Sequence, residues 1–180
     1  MTLAARALAR PAVLALVCLA AGCTESSAPP PPAVPDAAVA DALAGRFPET
    51  LGGLARTSVQ TDTDAALGAS VAGAAARYGA DDSTGAPSVE VFVTDYGTAE
   101  MSEMMGLAWG VGGELEYEAG SEARETIVFD GHPARRTWDR ERRTGRLQVL
   151  ADETLFVEVR AEGVDAGVLD AAARAGLGSR

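Results

Sequence analysis

The chain has 180 residues, the size of one domain of ordinary dimensions, and all 15 of its basic residues are arginine. Against 26 acidic residues this leaves a formal net charge of −11, which excludes general binding to nucleic-acid backbones, since that needs clustered positive charge. A zinc site takes three or four His, Cys or carboxylate ligands, and one histidine with two cysteines leaves few nitrogen or sulfur ligands to build one.

Residues 1–22 fall into three zones. Arg6 and Arg10 are basic, Pro11–Ala21 is apolar, and Ala20, Ala21 and Gly22 are small. This is the layout of a secretory signal peptide, and its apolar run is shorter than the roughly 20 residues that span a bilayer. Arg6 and Arg10 are not adjacent, so the general secretion route is expected rather than the twin-arginine one. Immediately after Leu19-Ala20-Ala21-Gly22 comes Cys23. This run resembles the lipobox of bacterial lipoproteins. The resemblance implies that Cys23 is diacylated on sulfur and becomes the mature N-terminus; the alternative is an ordinary signal peptide that leaves Cys23 as a free thiol. Two or more acyl chains give stable anchoring where one does not. Cys18 leaves with the leader, so no disulfide is expected. In an outer-membrane bacterium the same resemblance implies that Thr24, where inner-membrane lipoproteins often carry Asp, sends the protein to the outer membrane, facing the periplasm.

Thr24–Pro35 holds five prolines in 12 residues. It has no hydrophobic periodicity and reads as a tether, with Cys23–Pro35 as the anchor segment. As polyproline II it extends about 3.1 Å per residue, roughly 35 Å in all. The remaining residues, 36–180, read as one α+β domain: a mostly antiparallel sheet with a mid-chain helix and a C-terminal helix packed on it. Without Arg6 and Arg10, thirteen arginines face 26 acidic residues, a net charge of −13.

Within the domain, Asp36–Arg46 reads as a short helix with Asp36 as N-cap. Leu51–Gln60 reads as a loop and then a strand, and Asp62-Thr63-Asp64 as a turn. Ala69–Tyr78 carries both alanine content, which favours helix, and a following turn cluster, which favours a hairpin; strand is chosen. Ser88–Asp95 is a strand with Val89, Val91 and Val93 on one face. Thr98–Val111 reads as a helix with Met101, Met104, Met105, Ala108 and Val111 on one stripe. That stripe is core or a pliable apolar binding surface. Strands follow over Glu122–Asp130, Ala134–Asp139, Arg146–Ala151 and Thr154–Arg160, with a turn at Asp130-Gly131. Val164–Ala175 closes the chain as a helix. The run Gly131-His132-Pro133-Ala134 before consecutive strands and a final helix resembles the Mog1/PsbP-like architecture and small exported lipoproteins.

Little in the chain points to catalysis. His132 lies in a turn, no free cysteine is left after lipidation, and no glycine fingerprint for a nucleotide is present. Asp62, Asp64, Asp81 and Asp82 read as hydrated turn carboxylates rather than calcium ligands. Glu114, Glu116 and Glu118 share one strand face, as a solvated edge or as acid–base carboxylates. No cofactor or metal is expected. One segment departs from the acidic bulk: Arg135, Arg136, Arg140, Arg142, Arg143 and Arg146 put six arginines into 12 residues, with Trp138 among them. It reads as a hairpin with its tip near Thr144-Gly145. Arginine with tryptophan is the composition of binding hot spots; the bland alternative is a solvated hairpin balanced by Asp139 and Glu141, with Trp138 in the core. The sequence thus leads to a lipid-anchored, non-catalytic binding or assembly accessory of the cell envelope. Its contact with an anionic partner would be Arg135, Arg136, Trp138, Arg140, Arg142, Arg143 and Arg146. A carboxylate hydrolase and a carrier of a small apolar ligand are the alternatives.

Overall fold

The computed structural model of the protein describes residues 37–66, 69–80, 85–97, 103–104 and 117–178. Cys23, the tether, the methionine stripe apart from Met104, the Asp81-Asp82 pair, and Glu114 and Glu116 lie outside them, as does the side chain of Glu118. The chain order is α1 (Ala37–Ala44), β1 (Thr50–Leu51), β2 (Leu54–Ala66), β3 (Ala69–Gly79), β4 (Ser88–Asp95), β5 (Tyr117–Ala119), β6 (Glu122–Phe129), β7 (His132–Asp139), β8 (Thr144–Ala151), β9 (Leu155–Glu162) and α2 (Ala166–Leu177).

All strands form one sheet in the order β1-β2-β3-β4-β9-β8-β7-β6-β5. Every neighbouring pair is antiparallel. Two meanders therefore meet: β1 to β4 runs inward from one edge, and β5 to β9 runs inward from the other. They join along β4 and β9, where Val91 lies opposite Val159 and Val93 opposite Val157. β1 is a two-residue stub, and the other eight strands curl into a half-barrel.

The expected α+β class is overturned, because the described architecture is mostly antiparallel sheet with two short helices. One cause is specific. Leu54–Ala66 is a single 13-residue strand, and the turn expected at Asp62-Thr63-Asp64 is absent from it. Threonine and valine density there suits a pleated strand, and each of those residues pairs across to β3. Ala69–Gly79 is a strand, as chosen against its alanine content. A strand so rich in alanine forms because both of its edges are paired and one face is buried.

Period two sorts the side chains by face. On one face lie Ala72, Ala74, Ala76 and Tyr78 of β3, Val89, Val91 and Val93 of β4, Val157, Val159 and Ala161 of β9, and Leu147 and Val149 of β8, all buried. Small residues on β3 let α1 settle through Ala40 and Leu43. Leu169, Ala172, Ala173 and Gly176 of α2 are buried as well, and this small-residue stripe brings the helix close to β4 and β9. Tyr78 is fully buried, and its hydroxyl donates to Pro48 O at 3.0 Å. Burial raises the Tyr78 pKa, against a lowering influence from Arg56. Arg46 donates to Gly176 O and Leu177 O at 3.2 and 3.3 Å, which ties the end of α1 to the end of α2.

The turn between β6 and β7 matches its sequence signal. Asp130 and Gly131 have φ of 48° and 89°, the pair of positive values a two-residue type I′ turn requires.

Two glycines of α2 should respond oppositely to alanine. A Cβ on Gly176 would lie 2.8 Å from Val157 Cγ1 and 3.1 Å from Val93 Cγ2. Overpacking of about 1–3 kcal/mol should outweigh a helix-propensity gain of about 1 kcal/mol, so Gly176→Ala lowers the urea midpoint. Gly167 has nothing within 4 Å of that position, so Gly167→Ala should raise it.

Candidate functional site

The arginine-rich segment is a hairpin, but its turn is Arg140–Arg143, and Thr144-Gly145 already belong to β8. Asp139 shapes the turn: its Oδ1 accepts the amides of Glu141 and Arg142 at 2.9 and 3.0 Å. Those bonds, the Arg142 amide first, hold the Asp139 carboxyl below its ordinary pKa against a raising effect of burial. Gly145 has a packing reason to be glycine. A Cβ there would sit 2.3 Å from Trp138 Cε3 and 2.8 Å from Thr137 O. Trp138 occupies that space, half-buried against the core.

Alternation along β7 splits the arginines between faces. Arg136 turns toward the helices and bonds Asp170 Oδ1 of α2 at 2.7 Å and Glu125 Oε1 at 3.3 Å. It clamps α2 to the sheet. Arg143 reaches Asp165, just before α2, at 2.8 Å. Arg140 is exposed at the turn. Arg135 lies on the other face, opposite Gln148 and Thr126. Arg142 and Arg146 line a cleft there. The segment is thus no single contact surface.

What the fold assembles instead is a row across that second face. Cross-strand register aligns Arg77, Glu90, Arg160, Arg146, Thr137 and Arg124. A cleft of about 480 Å³ lies along it, lined by Arg124, Arg142, Arg146 and Arg160 together with Glu90, Glu122, Asp139 and Glu162. Several charges are already matched: Arg77 with Glu90 at 2.6 Å, Arg142 with Asp139 at 3.8 Å, and Arg124 with Glu122 at 3.9 Å. Arg146 and Arg160 are different. They sit directly opposite each other on β8 and β9, an unfavourable arrangement for like charges, and they share one carboxylate.

That carboxylate is Glu158, whose side chain is 11% exposed. Its Oε1 accepts Arg160 Nε at 2.6 Å and lies 3.6 Å from Arg146 Nε; its Oε2 accepts Gln148 Nε2 at 2.8 Å. Burial alone would raise the Glu158 pKa, but the bonds from Gln148 and Arg160 and the charges of Arg146 and Arg160 bring it below the ordinary value. The Arg160 guanidinium also stacks 5.0 Å from the Phe92 ring centroid. Both arginines stay half exposed, at 51%. Arg146 and Arg160 thus share the Glu158 carboxylate, within a cleft whose lining sets four arginines against Glu90, Glu122, Asp139 and Glu162, and guanidinium forks suit oxyanions.

Sequence reasoning missed Arg124, Arg160, Glu158 and Phe92. They are spread over β6, β9 and β4, and only the register gathers them around Arg146 and Arg160.

A hollow of about 550 Å³ at the C-terminal end of α2 includes His132, Asp130, Arg46 and Arg174. Its arginines hold structure: Arg174 pairs with Asp130 at 3.0 Å and stacks on Phe129, and Arg46 caps α2. His132 is the first residue of β7. Among the described residues, no group of three His, Cys, Asp or Glu is placed to hold a metal ion.

Glu158→Gln should destabilise the fold by about 1.5–3 kcal/mol, the scale of a charge-assisted hydrogen bond. The carboxylate's folded pKa is depressed, so its stabilisation is complete above about pH 4.3 and is lost as pH falls through the lower folded value. The variant's stability should therefore depend less on pH below about 4.3, which urea denaturation at a series of pH values would show. No protein-family model, curated protein or solved structure matches the chain.

Proposed function

We propose that this is a lipid-anchored protein of a bacterial cell envelope that binds an anionic partner without catalysis. A leader over residues 1–22, Cys23 after Leu19-Ala20-Ala21-Gly22, and a proline-rich tether are the parts of an exported lipoprotein. Thr24 favours the outer membrane in a bacterium that has one. A tether that can reach up to roughly 35 Å allows the domain to stand clear of its own leaflet, which favours a contact with something in the aqueous space.

The observation that carries the binding reading is the opposed Arg146–Arg160 pair on one buried carboxylate. Placing like charges across a strand pair costs stability; the Glu158 carboxylate offsets part of that cost, and a bound anion offsets more of it. The contact surface is therefore the cleft of Arg124, Arg142, Arg146 and Arg160 rather than the hairpin turn itself. On a body of net charge −13, such a cleft selects by local geometry, since long-range steering disfavours anions.

Cys23→Ser should move the protein from the membrane fraction to the soluble one; a variant that still sediments with membranes overturns the anchor. Cross-linking in intact cells should yield an acidic or phosphorylated partner with the native protein, reduced or lost with Arg146→Ala/Arg160→Ala. Identical partner lists from the two proteins would overturn the cleft reading.

A further inference from the structure

We infer, resting on the anion-binding reading of the arginine cleft, that its ligand is a zwitterion of the kind a short peptide with free ends presents. Arg146 and Arg160 take its oxyanion, and Glu162 takes an ammonium group about 7 Å away, the rise of two residues along a strand.

Alternation along the strands sorts the cleft into two parallel rows. The row of Arg160, Arg146 and Arg124 carries three guanidiniums. The next row, two residues along each strand, runs Ser88, Glu162, Thr144, Asp139 and Glu122 in register, and it carries three carboxylates. Two of these are engaged: Asp139 holds the turn amides and Arg142, and Glu122 lies 3.9 Å from Arg124. Glu162 is exposed, and among the described residues its carboxylate meets no cation and no hydrogen-bond donor. Ser88 and Thr144 stand directly opposite it on β4 and β8. A carboxylate flanked by two hydroxyls offers an acceptor group for each of the three N–H bonds of an ammonium. In the first row, the Arg146 guanidinium has only the 3.6 Å contact with Glu158, and Arg160 commits only its Nε. The terminal nitrogens of both are left to an oxyanion, which a guanidinium fork grips through paired bonds.

The charge of the body decides between an anion and a zwitterion. Thirteen arginines against 26 acidic residues, a net charge of −13, repel an anion over the long range, and the carboxylate row repels it again at the cleft. A ligand of net charge zero escapes the first and turns the second into an attraction. Spacing then names the class. Extended chain covers about 3.3–3.6 Å per residue, so a dipeptide bridges the two rows, whereas the charges of a single α-amino acid are one residue apart.

The test uses full-length protein in an uncharged maltoside detergent and saturation-transfer NMR titrations. Alanyl-alanine should bind about fivefold more tightly than its N-acetyl form, which keeps the carboxylate and lacks the ammonium; fivefold is the upper scale of one exposed ion pair. It should exceed alanine similarly. Glu162→Gln should erase the difference between the free and acetylated dipeptides, with the melting temperature retained. Glu49→Gln, which removes the same charge at an exposed site outside the cleft, should preserve it. Ser88→Ala/Thr144→Ala, which removes the flanking hydroxyls, should narrow the difference and serves if Glu162→Gln unfolds. Arg146→Ala/Arg160→Ala should weaken both dipeptides. Equal binding of the free and acetylated dipeptides, or binding of inorganic phosphate alone, overturns the zwitterion and leaves the anion reading standing; binding of none of these probes overturns both. A preference that survives in folded Glu162→Gln, or tighter binding of alanine or phosphoethanolamine than of alanyl-alanine, also overturns the proposal.

Discussion

The pairing of β4 with β9 is the contact on which the rest of the architecture depends. Each meander is local in sequence, but neither alone has both a core and a closed inner edge. Where Val91 and Val93 meet Val159 and Val157, the two inner edges satisfy each other's backbone groups and their valines form one apolar floor. α2 lies across that floor and α1 across β3, so one face of the sheet is spent on stability. The charged row on the other face follows from the same pairing, because Glu90 on β4 is brought beside Arg160 on β9, and Arg160 beside Arg146 on β8.

Glu158 shows how a charged residue is kept in such a sheet. It is nearly buried, yet Gln148 and Arg160 donate to its two oxygens and the Arg146 guanidinium lies 3.6 Å away. Charge-assisted bonds offset the desolvation that burial imposes. The balance is incomplete for the arginines, which outnumber their acceptor. That mismatch, more than the number of arginines in the sequence, distinguishes this patch from the matched pairs of Arg77 with Glu90 and Arg136 with Asp170.

Much of the strand pattern was readable because period two survives without knowledge of partners. Val89, Val91 and Val93 announced β4, and Asp130-Gly131 announced its turn. Asp62-Thr63-Asp64 misled because turn chemistry is local, while the strand is held by a distant decision: ten residues of pairing with β3. The arginine segment misled in another way. Six arginines adjacent in sequence look like one surface, but a strand sends alternate residues to opposite faces, so Arg136 became a clamp under α2 while Arg146 joined the cleft. Arg160 and Glu158 had no signal of their own, since register is a property of the folded sheet. Gly145 was legible only as a turn residue, although its role is to make room for Trp138.

The placement of β9 also bears on the order of events when the chain emerges N-terminus first. β1 to β4 can form their meander early, but the inner edge of β4 waits for the next-to-last element of the chain. Until β9 arrives, Val89, Val91 and Val93 stand on an open, unprotected strand, and long-range pairing of this kind forms slowly. A truncation or stall before Leu155 would therefore leave an adhesive half-sheet rather than a smaller stable protein. The last seventh or so of the chain, from Leu155 onward, acts as the latch that turns a sticky intermediate into a finished fold.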